Sequence, residues 1–363
     1  MKLAILGTRG VPANYGGFET LAEELGRRLA DRGHDVAVYG RRGFVDPTLR
    51  RYRGMRLVVL PSIRTKHLET VSHTFVSAVH AAFGRYDAVL LCNAANAVFI
   101  PILRWTGTPV AINVDGLERR RRKWGAAGRA WYRLGERLAA WLPNRLVTDA
   151  RVIERYYRRF YSTTSVMIPY GGDLEPPTTS GVLDRLGLVA GDYLLYVSRF
   201  EPENNPDRVL EAWSRTTADR RLVMVGDAPY ASELVRRVRE LADHRVVLPG
   251  AVYGDGYREL LFNCRVYIHA TEVGGTHPAL VEAMGAGRPV LYYDTPENRE
   301  VAADVGVAFR FSGPAALESR LAALLDDRAE LAALGERSRA RVADRYRWTD
   351  VADAYEGVLQ SIC

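Results

Sequence analysis

Short apolar runs alternate with stretches of helical periodicity along almost the whole chain, and this alternation restricts the fold more than any other feature. In the first half, the segment at residues 18–29 has the helical spacing, and Gly33 follows it. The predicted strands of this half are LAIL (3–6), VAVYG (36–40), RLVVL (56–60), AVLL (88–91), PVAIN (109–113), LVT (146–148) and SVMIP (165–169). Alternating strands and helices build parallel sheets covered by helices, so we predict an α/β fold.

The alternation stops once, at a segment rich in Gly, Pro, Thr and Ser (residues 170–188), and then starts again. The later predicted strands are YLLYV (193–197), RLVMVG (221–226), RVVLPG (245–250), VYIHA (266–270) and PVLYY (289–293). We therefore predict two doubly wound domains, residues 1–172 and 173–346, and expect a C-terminal helix, about residues 347–363, to pack back on the first. Ligands of such sheets bind outside the carboxyl ends of the strands.

Composition excludes several protein classes. The chain has 363 residues, of which 47% are hydrophobic, which is enough for two cores. Its three cysteines are scattered, so neither a disulfide framework nor structural zinc is predicted. The longest uncharged run, residues 88–103, is too short to span a bilayer. These features are typical of a cytoplasmic protein.

Charge is distributed unevenly between the two halves. Residues 1–170 hold 28 Lys and Arg against 13 Asp and Glu, whereas residues 171–363 hold 22 against 30. The positive charges concentrate in RRRRK (119–123) and on one predicted helix surface, which carries Arg151, Arg155, Arg158 and Arg159. This pattern predicts an anionic partner for the first domain. A charge run is more often a solvated face than a site, but the density of this one favours such a partner.

The first chemical motif is GTRGVPANYGGFET (residues 7–20), between the first strand and the first helix. Gly16 and Gly17 lie at the predicted start of that helix, where free N–H groups and the helix dipole favour an anion. The alternative is a tight turn that needs glycine for steric reasons alone. The spacing is not G-x-G-x-x-G and no acidic residue ends the second strand, which disfavours a dinucleotide site.

Three further motifs follow predicted strands. Arg199 comes after a buried strand, where it either meets an anion or extends to solvent over its packed stem. Glu282 lies about one turn into a helix that starts near Pro278, so its carboxylate either caps that helix or accepts hydrogen bonds from ligand hydroxyls. Asp115 ends another buried strand. No metal site is predicted, because His269 and His277 lack a second ligand at helical spacing.

Together these stretches resemble the retaining glycosyltransferases of family four, which have the GT-B fold of two facing Rossmann-like domains with the donor cleft between them. The resemblance covers nearly the whole chain. A narrower resemblance is to the bacterial subgroup that includes rhamnosyltransferases of polysaccharide assembly. It is carried by four stretches: GTRGVPANYGGFET, NVDGLE followed by RKW, PENN and VGGTHPALVEAM. The resemblance implies a metal-independent hexosyltransferase. Such an enzyme moves a hexose or deoxyhexose from a nucleoside-diphosphate sugar to a hydroxyl of a glycan, glycolipid or small-molecule glycoside.

The resemblance also implies residue roles. Gly16 and Gly17 would approach the donor diphosphate, Arg199 would neutralise it as it leaves, and Glu282 would hold ribose hydroxyls. Asp115 stands where such enzymes often carry a histidine near the reacting sugar, so Asp115 and Arg199 are the predicted catalytic residues. The base would contact the backbone of the turn at Val252. The other predicted donor-binding residues are Asn204, Gly274, Gly275, Thr276 and His277, of which His277 is either a ligand to the donor or a packed side chain.

Two positions depart from the family pattern. The family usually has two glutamates separated by seven residues, but counting back from Glu282 reaches Gly274, and Glu272 lies two places too early. The phosphate-binding lysine position falls on Asn204. These departures argue against a mechanism that needs an acidic group beside the donor ring. Catalysis is then expected to rest on leaving-group stabilisation and acceptor orientation.

Other functions stay open at this stage. A nucleotide-sugar epimerase or hydrolase would keep the fold without transfer, and a sugar-nucleotide binding module would lack chemistry altogether. Nucleic acid is not an expected partner, because the arginines lack interleaved aromatic residues. No cofactor is expected beyond the donor, which the subgroup resemblance suggests is dTDP-linked, with UDP and GDP sugars as alternatives. The basic first half fits either an anionic soluble acceptor or a lipid-linked acceptor at the inner membrane face.

Overall fold

The computed structural model describes residues 1–63, 65, 68–227 and 232–363. Contacts divide the chain into two units: unit 1 comprises residues 1–120, 124–170 and 348–363, and unit 2 comprises residues 121–123 and 171–347. The sequence-based division at residue 172 did not separate residues 121–123 from the first domain. Among the described residues, no helix is both long and apolar enough to cross a bilayer.

Unit 1 begins with alternating strands and helices. Its elements in chain order are β1 (Lys2–Leu6), α1 (Gly17–Asp31), β2 (Asp35–Arg41), β3 (Arg51–Tyr52), β4 (Met55–Leu60), α2 (Glu69–Ala82), β5 (Ala88–Cys92), α3 (Ile100–Trp105), β6 (Val110–Asn113), α4 (Ala126–Trp141), β7 (Arg145–Thr148), α5 (Arg151–Tyr161) and β8 (Val166–Met167). Among the described residues its strands form one sheet in the order β3-β4-β2-β1-β5-β6-β7-β8, and apart from the antiparallel pair β3–β4 the strands run parallel. Strands that are buried on both faces of a sheet need apolar side chains on both sides, which explains the continuous apolar runs of this unit.

Unit 2 repeats this architecture. Its elements are α6 (Val182–Leu186), β9 (Tyr193–Val197), α7 (Pro206–Ser214), β10 (Arg221–Val225), α8 (Ser232–Leu241), β11 (Val246–Gly250), α9 (Gly254–Asn263), β12 (Val266–His269), α10 (Pro278–Gly285), β13 (Val290–Tyr293), α11 (Pro296–Ala302), β14 (Val307–Phe309), α12 (Leu317–Leu324) and α13 (Arg328–Arg345). The described strands form a parallel sheet in the order β11-β10-β9-β12-β13-β14. The predicted two-domain α/β fold with parallel sheets is therefore confirmed.

The C-terminal helix α14 (Trp348–Gln360) belongs to unit 1. Trp348 and Tyr355 are fully buried in the same hydrophobic cluster as the inner face of α1. Arg32, just after α1, pairs with Glu356 of α14 at 2.6 Å. Apolar burial against α1 and this ion pair fix the last helix on the sheet face opposite to α2, α3, α4 and α5, whose buried residues form a separate cluster.

Candidate functional site

The loops that follow β9 and β12 meet at one edge of the unit 2 sheet, because both strands are parallel and adjacent. Hydrogen bonds to two main-chain carbonyls join these loops. The Glu272 N–H donates to the Glu203 carbonyl at 2.8 Å, and Asn205 Nδ2 donates to the Ala270 carbonyl at 2.9 Å. The two loops therefore form one structural element, which we call the carboxyl edge of unit 2 (residues 198–205 and 270–277).

Arg199 and Asn204 lie together in the first of these loops. The Arg199 carbonyl accepts hydrogen bonds from Asn204 Nδ2 at 2.7 Å and from the Glu201 N–H at 2.8 Å. Gly226, after β10, lies so close that a Cβ there would overlap the Ser198 carbonyl. The backbone around Arg199 is thus fixed from both sides, and its side chain is half-buried. Asn204 acts on the loop itself, through its contact with Arg199.

The predicted glycine loop leads directly into α10. Gly274, Gly275 and Thr276 are buried, and a Cβ on Gly274 would overlap the His277 ring. The backbone therefore approaches closely to its own side chains here. Pro278 at the start of α10 has no N–H, and the Leu280 and Val281 N–H groups donate to the His277 carbonyl at 3.1 and 3.2 Å. The helix dipole still favours an anion at this end of the helix.

His277 is oriented by an asparagine. Its Nδ1 lies 3.0 Å from Asn298 Oδ1, and the Asn298 amide nitrogen donates to the Thr271 and Tyr293 carbonyls at 2.9 Å. Asn298 must then accept from His277 Nδ1–H, while His277 Nε2 lies 3.4 Å from the Val273 carbonyl. The ring centroid of buried His269 lies 4.8 Å away, and burial lowers the pKa of His269 well below its ordinary value. His269 is therefore neutral near pH 7 and adds no charge to the loop.

Glu282 is the fifth residue of α10, and only 7% of it is exposed. Its Oε2 accepts a hydrogen bond from the Tyr257 hydroxyl at 2.6 Å. Burial raises the pKa of Tyr257 well above its ordinary value, and the Glu282 carboxylate adds to this shift. Tyr257 thus stays protonated and holds the carboxylate in one orientation, a contact that the sequence did not indicate.

The two glutamates of the segment 272–282 have separate surroundings. The Glu272 carboxylate accepts from Arg122 Nη2 at 2.8 Å and from Asn205 Nδ2 at 3.0 Å, and Arg208 lies 3.8 Å away. Glu272 is therefore engaged in contacts that fix the loop at the carboxyl edge.

Most cations of the RRRRK run (residues 119–123) form ion pairs with carboxylates of the same chain. Arg121 pairs with Glu203 at 3.1 Å, Arg122 with Glu272 and Lys123 with Glu201 at 3.7 Å, while Arg119 pairs with Glu136 at 3.0 Å. Acidic residues of this chain neutralise most of the run, so its density alone does not support an anionic partner, which stays a prediction. Three of its cations, Arg121, Arg122 and Lys123, stabilise the loops of the carboxyl edge.

Val252 lies in the turn between β11 and α9. Gly250 and Gly254 bound this turn with φ of 81° and 60°, a conformation that favours glycine. The half-buried Val252 side chain packs against the core of unit 2. The side chain is thus directed to the core, and the contact of this turn with the base stays a prediction.

In unit 1, Gly16 and Gly17 lie at the start of α1, and no side chain caps this helix. Two carboxylates of α1 instead hold the preceding loop: Glu19 accepts from the Arg9 N–H and Glu23 from the Ala13 N–H, both at 2.7 Å. Both carboxylates accept from N–H groups of the loop rather than of the helix, so the first turn of α1, which includes Glu19, has no side-chain cap.

Asp115 lies two residues after β6 with φ of 52°, an uncommon conformation for a residue other than glycine. Its N–H donates to Asn113 Oδ1 at 2.9 Å. Burial raises the pKa of Tyr170 well above its ordinary value, and Asp115 and Asp149 both contribute to this shift. The structure places Asp115 at the carboxyl end of the unit 1 strands, near other acidic groups.

The part of the chain that the structure describes has no cluster of metal ligands. No group of three or more His, Cys, Asp or Glu side chains there is arranged to hold a metal ion.

Comparison with known proteins agrees with this architecture. The structure of sucrose-phosphate synthase from Thermosynechococcus elongatus is 20% identical, with a TM-score of 0.81 over 99% of this chain and 98% of that one. The structure of HepE from Anabaena in complex with UDP and glucose is 17% identical, with a TM-score of 0.78 over 99% of this chain and all of that one. At such identities the likeness concerns the fold.

Among curated proteins, a 146-residue segment, 39% of this chain, is 30% identical to the phosphatidylinositol N-acetylglucosaminyltransferase gpi3 subunit of Schizosaccharomyces pombe. The match spans about a third (32%) of that protein. Two family models match parts of the chain: "Glycosyl transferase 4-like domain" matches residues 16–171 and "Glycosyl transferases group 1" matches residues 189–341. Residues 16–171 thus match a glycosyl transferase 4-like domain, and residues 189–341 match a glycosyl transferases group 1 domain.

Proposed function

We propose that this protein is a retaining, metal-independent glycosyltransferase that moves a hexose or deoxyhexose, rhamnose-like in the subgroup it resembles, from a nucleoside-diphosphate sugar to an acceptor hydroxyl. Its two domain families and their order support transfer over epimerisation or hydrolysis. The donor assignment gains support from the comparison, since HepE was determined with UDP-glucose.

One observation carries the proposal: the carboxyl edge of unit 2 and helix α10, which follows it, carry groups suited to the two ends of a nucleotide. Arg199 and the start of α10 favour the negative diphosphate. Glu282 supplies a carboxylate, oriented by Tyr257, that can accept hydrogen bonds from ribose hydroxyls. The close-packed loop at Gly274 and Gly275 lets the main chain approach a phosphate or sugar.

The chemistry follows from where charge develops. When the bond between the sugar and the diphosphate breaks, negative charge grows on the leaving oxygen. Fixed donors that face this oxygen stabilise the transition state more than the ground state. The backbone hydrogen bonds around Arg199 hold its loop in place before the reaction, so little reorganisation is needed.

A thermal-shift panel of UDP, dTDP, GDP, ADP and CDP tests the donor assignment. At least one nucleotide is expected to raise the melting temperature, because a ligand that binds only the folded state stabilises it by about 2.7 kcal/mol at a hundredfold excess over Kd. If none shifts the midpoint at millimolar concentration, the donor assignment is wrong.

Repeating the nucleotide panel with the Glu282→Gln variant tests whether the Glu282 carboxylate binds the ribose hydroxyls. This variant keeps the Tyr257 hydrogen bond and removes the charge, so affinity for the stabilising nucleotide should fall about tenfold, which corresponds to one charged hydrogen bond. Glu240→Gln, an exposed change on α8, is the control. With the donor identified, release of free nucleoside diphosphate without any glycosylated product, across a broad acceptor panel, would instead identify a hydrolase.

We propose further that unit 1 docks on an anionic membrane surface through the sheet face covered by α2, α3, α4 and α5. Exposed aromatic residues lie at the carboxyl end of each of these helices: Phe83, Trp105, Trp141 and Phe160. Trp105 is 86% and Trp141 64% exposed. Each of these helices connects two parallel strands and runs in the opposite direction to them. The carboxyl ends of the four helices therefore lie along one edge of the sheet. Such aromatic residues are typical of the membrane interface.

The charges of this face fit anionic lipid. Its exposed cations on the four helices include Arg104, Arg129, Arg133, Arg137, Arg155, Arg158 and Arg159. The acidic residues of these helices are Glu69 and Glu136, which are buried, and Glu154, which lies 3.6 Å from Arg151. No fully exposed acid lies on the described residues of these helices to oppose lipid binding. Each basic residue near such a surface contributes about 1 kcal/mol.

Sedimentation with phosphatidylglycerol-containing vesicles tests this contact. The protein is expected to bind at low salt and to dissociate as NaCl rises, and Trp105→Ser with Trp141→Ser should weaken binding at least tenfold by removing two aromatic anchors. Tyr253→Ser, an exposed aromatic residue of unit 2, is the matched control. Equal binding by the double variant and the control would exclude this face as the docking surface.

A further inference from the structure

Four arginines of unit 2 surround a single cavity of about 320 Å³: Arg265, Arg288, Arg328 and Arg339. Arg265 and Arg288 each lie two residues before paired positions of β12 and β13, because Tyr267 pairs with Val290. The cavity therefore lies at the amino ends of these strands, whereas the carboxyl edge lies at their other ends. It is a location that the proposed glycosyl transfer does not use.

Helix α13 supplies the other two arginines. Arg328 and Arg339 are eleven residues apart, which is about three helical turns, so they lie on one stripe of the helix. Two glycines permit the close approach of this stripe. A Cβ on Gly335 would overlap the Gly287 carbonyl, and a Cβ on Gly287, whose φ is 69°, would overlap the Arg339 guanidinium. The sequence thus brings α13 and its cations against the segment that precedes β13.

No ion pair joins these four arginines to a carboxylate among the described residues. Within the described part of the chain, none of them lies within 4.0 Å of a carboxylate, and Glu336 is the one acidic residue that lines the cavity. Burial and the like charges of Arg220 and Arg328 lower the pKa of Arg265 more than the acidic Asp192 and Asp326 raise it. Placing like charges side by side is unfavourable unless an anion or solvent screens them.

Backbone carbonyls satisfy part of this donor set. Arg265 donates to the Leu325 carbonyl at 2.6 Å, and Arg288 to the Cys264 carbonyl at 3.2 Å. Arg339 donates through one nitrogen to the Ala286 carbonyl at 3.3 Å, and Arg328 has no hydrogen bond among the described residues. Since each guanidinium carries five N–H donors, donors remain for a ligand.

We propose that this cavity binds a small molecule that carries two or more phosphate groups. The planar guanidinium fork matches phosphate oxygens, and several phosphates can engage several arginines at once. The volume lies at the lower end of the range for small-molecule sites, which fits a compact polyanion. This site is separate from the proposed donor site and does not depend on it.

Calorimetric titration with inorganic pyrophosphate tests the proposal. The titration is made on protein saturated with whichever nucleoside diphosphate it binds, so that the donor site is occupied, and on unliganded protein if it binds none. We expect saturable binding to the wild type and affinity at least tenfold weaker in Arg328→Gln/Arg339→Gln, because each phosphate contact contributes about a factor of ten. Both positions are exposed, so the double variant should fold normally.

The control is Arg337→Gln, which removes one charge from the same helix outside the cavity and should bind pyrophosphate as the wild type does. Amide hydrogen exchange locates the ligand, and protection is expected in residues 286–290 and 328–340. Binding that is unchanged in the double variant, protection confined to other segments, or no binding to the wild type at millimolar pyrophosphate would each overturn the site. Titration with inorganic phosphate shows whether one phosphate group suffices, which would contradict the requirement for two.

Discussion

Replacing Arg121 by methionine is expected to lower the free energy of unfolding by about 3–5 kcal/mol, the usual result of removing one partner from a buried ion pair. The Arg121 side chain is 8% exposed and that of Glu203 is fully buried. The second oxygen of Glu203 has no hydrogen-bond partner among the described residues, so the carboxylate depends strongly on Arg121. Urea unfolding, followed by circular dichroism, measures the change.

Two further variants separate the ion pair from a general effect of charge. Arg120→Gln removes the preceding, exposed arginine of the same run and should change stability by less than about 0.5 kcal/mol. Arg121→Met with Glu203→Leu removes both charges, and much of the lost stability should return because no buried charge is left unpaired. If the double variant is no more stable than Arg121→Met, the pair does not carry the effect.

The fold was predictable because local signals agreed with each other. Apolar runs such as YLLYV at residues 193–197 form fully or largely buried strands, and the glycine- and proline-rich segment after residue 170 coincides with the change of unit. Strands β3 and β14 were missed. They have two and three residues, which is too short for any periodicity to appear in the sequence.

The candidate site was predictable only where its residues act through the local chain. Glycines before a helix and an arginine after a strand are visible as patterns. Tyr257, which orients Glu282 from 25 residues away, and Arg122, which holds Glu272 from 150 residues away, carry no such signal. Their contacts depend on how the folded chain brings separate loops together, and no spacing rule describes that.

The uneven distribution of charge is another feature whose meaning depends on contacts that the sequence does not reveal. Counting charges detected a basic first half, but it did not distinguish paired from exposed cations. In the structure Arg119 is paired with Glu136, whereas Arg133 and Arg137 on the same domain are exposed. Only burial separates the cations that stabilise the fold from those available to a partner.

The second large effect is expected in catalysis. Arg199→Gln should lower kcat by about 10²- to 10³-fold, the usual cost of removing one preorganised group that stabilises developing negative charge. The nucleoside diphosphate released per unit time, with the donor that the nucleotide panel identifies, measures the change. Affinity for the donor should fall less than kcat, because the charge on the leaving oxygen grows in the transition state.

Arg199→Lys and Arg215→Gln make this result specific. Lysine keeps the charge but not the planar fork, so it should recover only part of the activity. Arg215 is an exposed arginine of the same unit that pairs with Glu318 at 2.8 Å, and its loss should change kcat less than about twofold because surface pairs contribute little. Should Arg199→Gln retain activity within about threefold of the wild type, Arg199 would be an arginine that extends to solvent, and the leaving group would depend on the start of α10 instead.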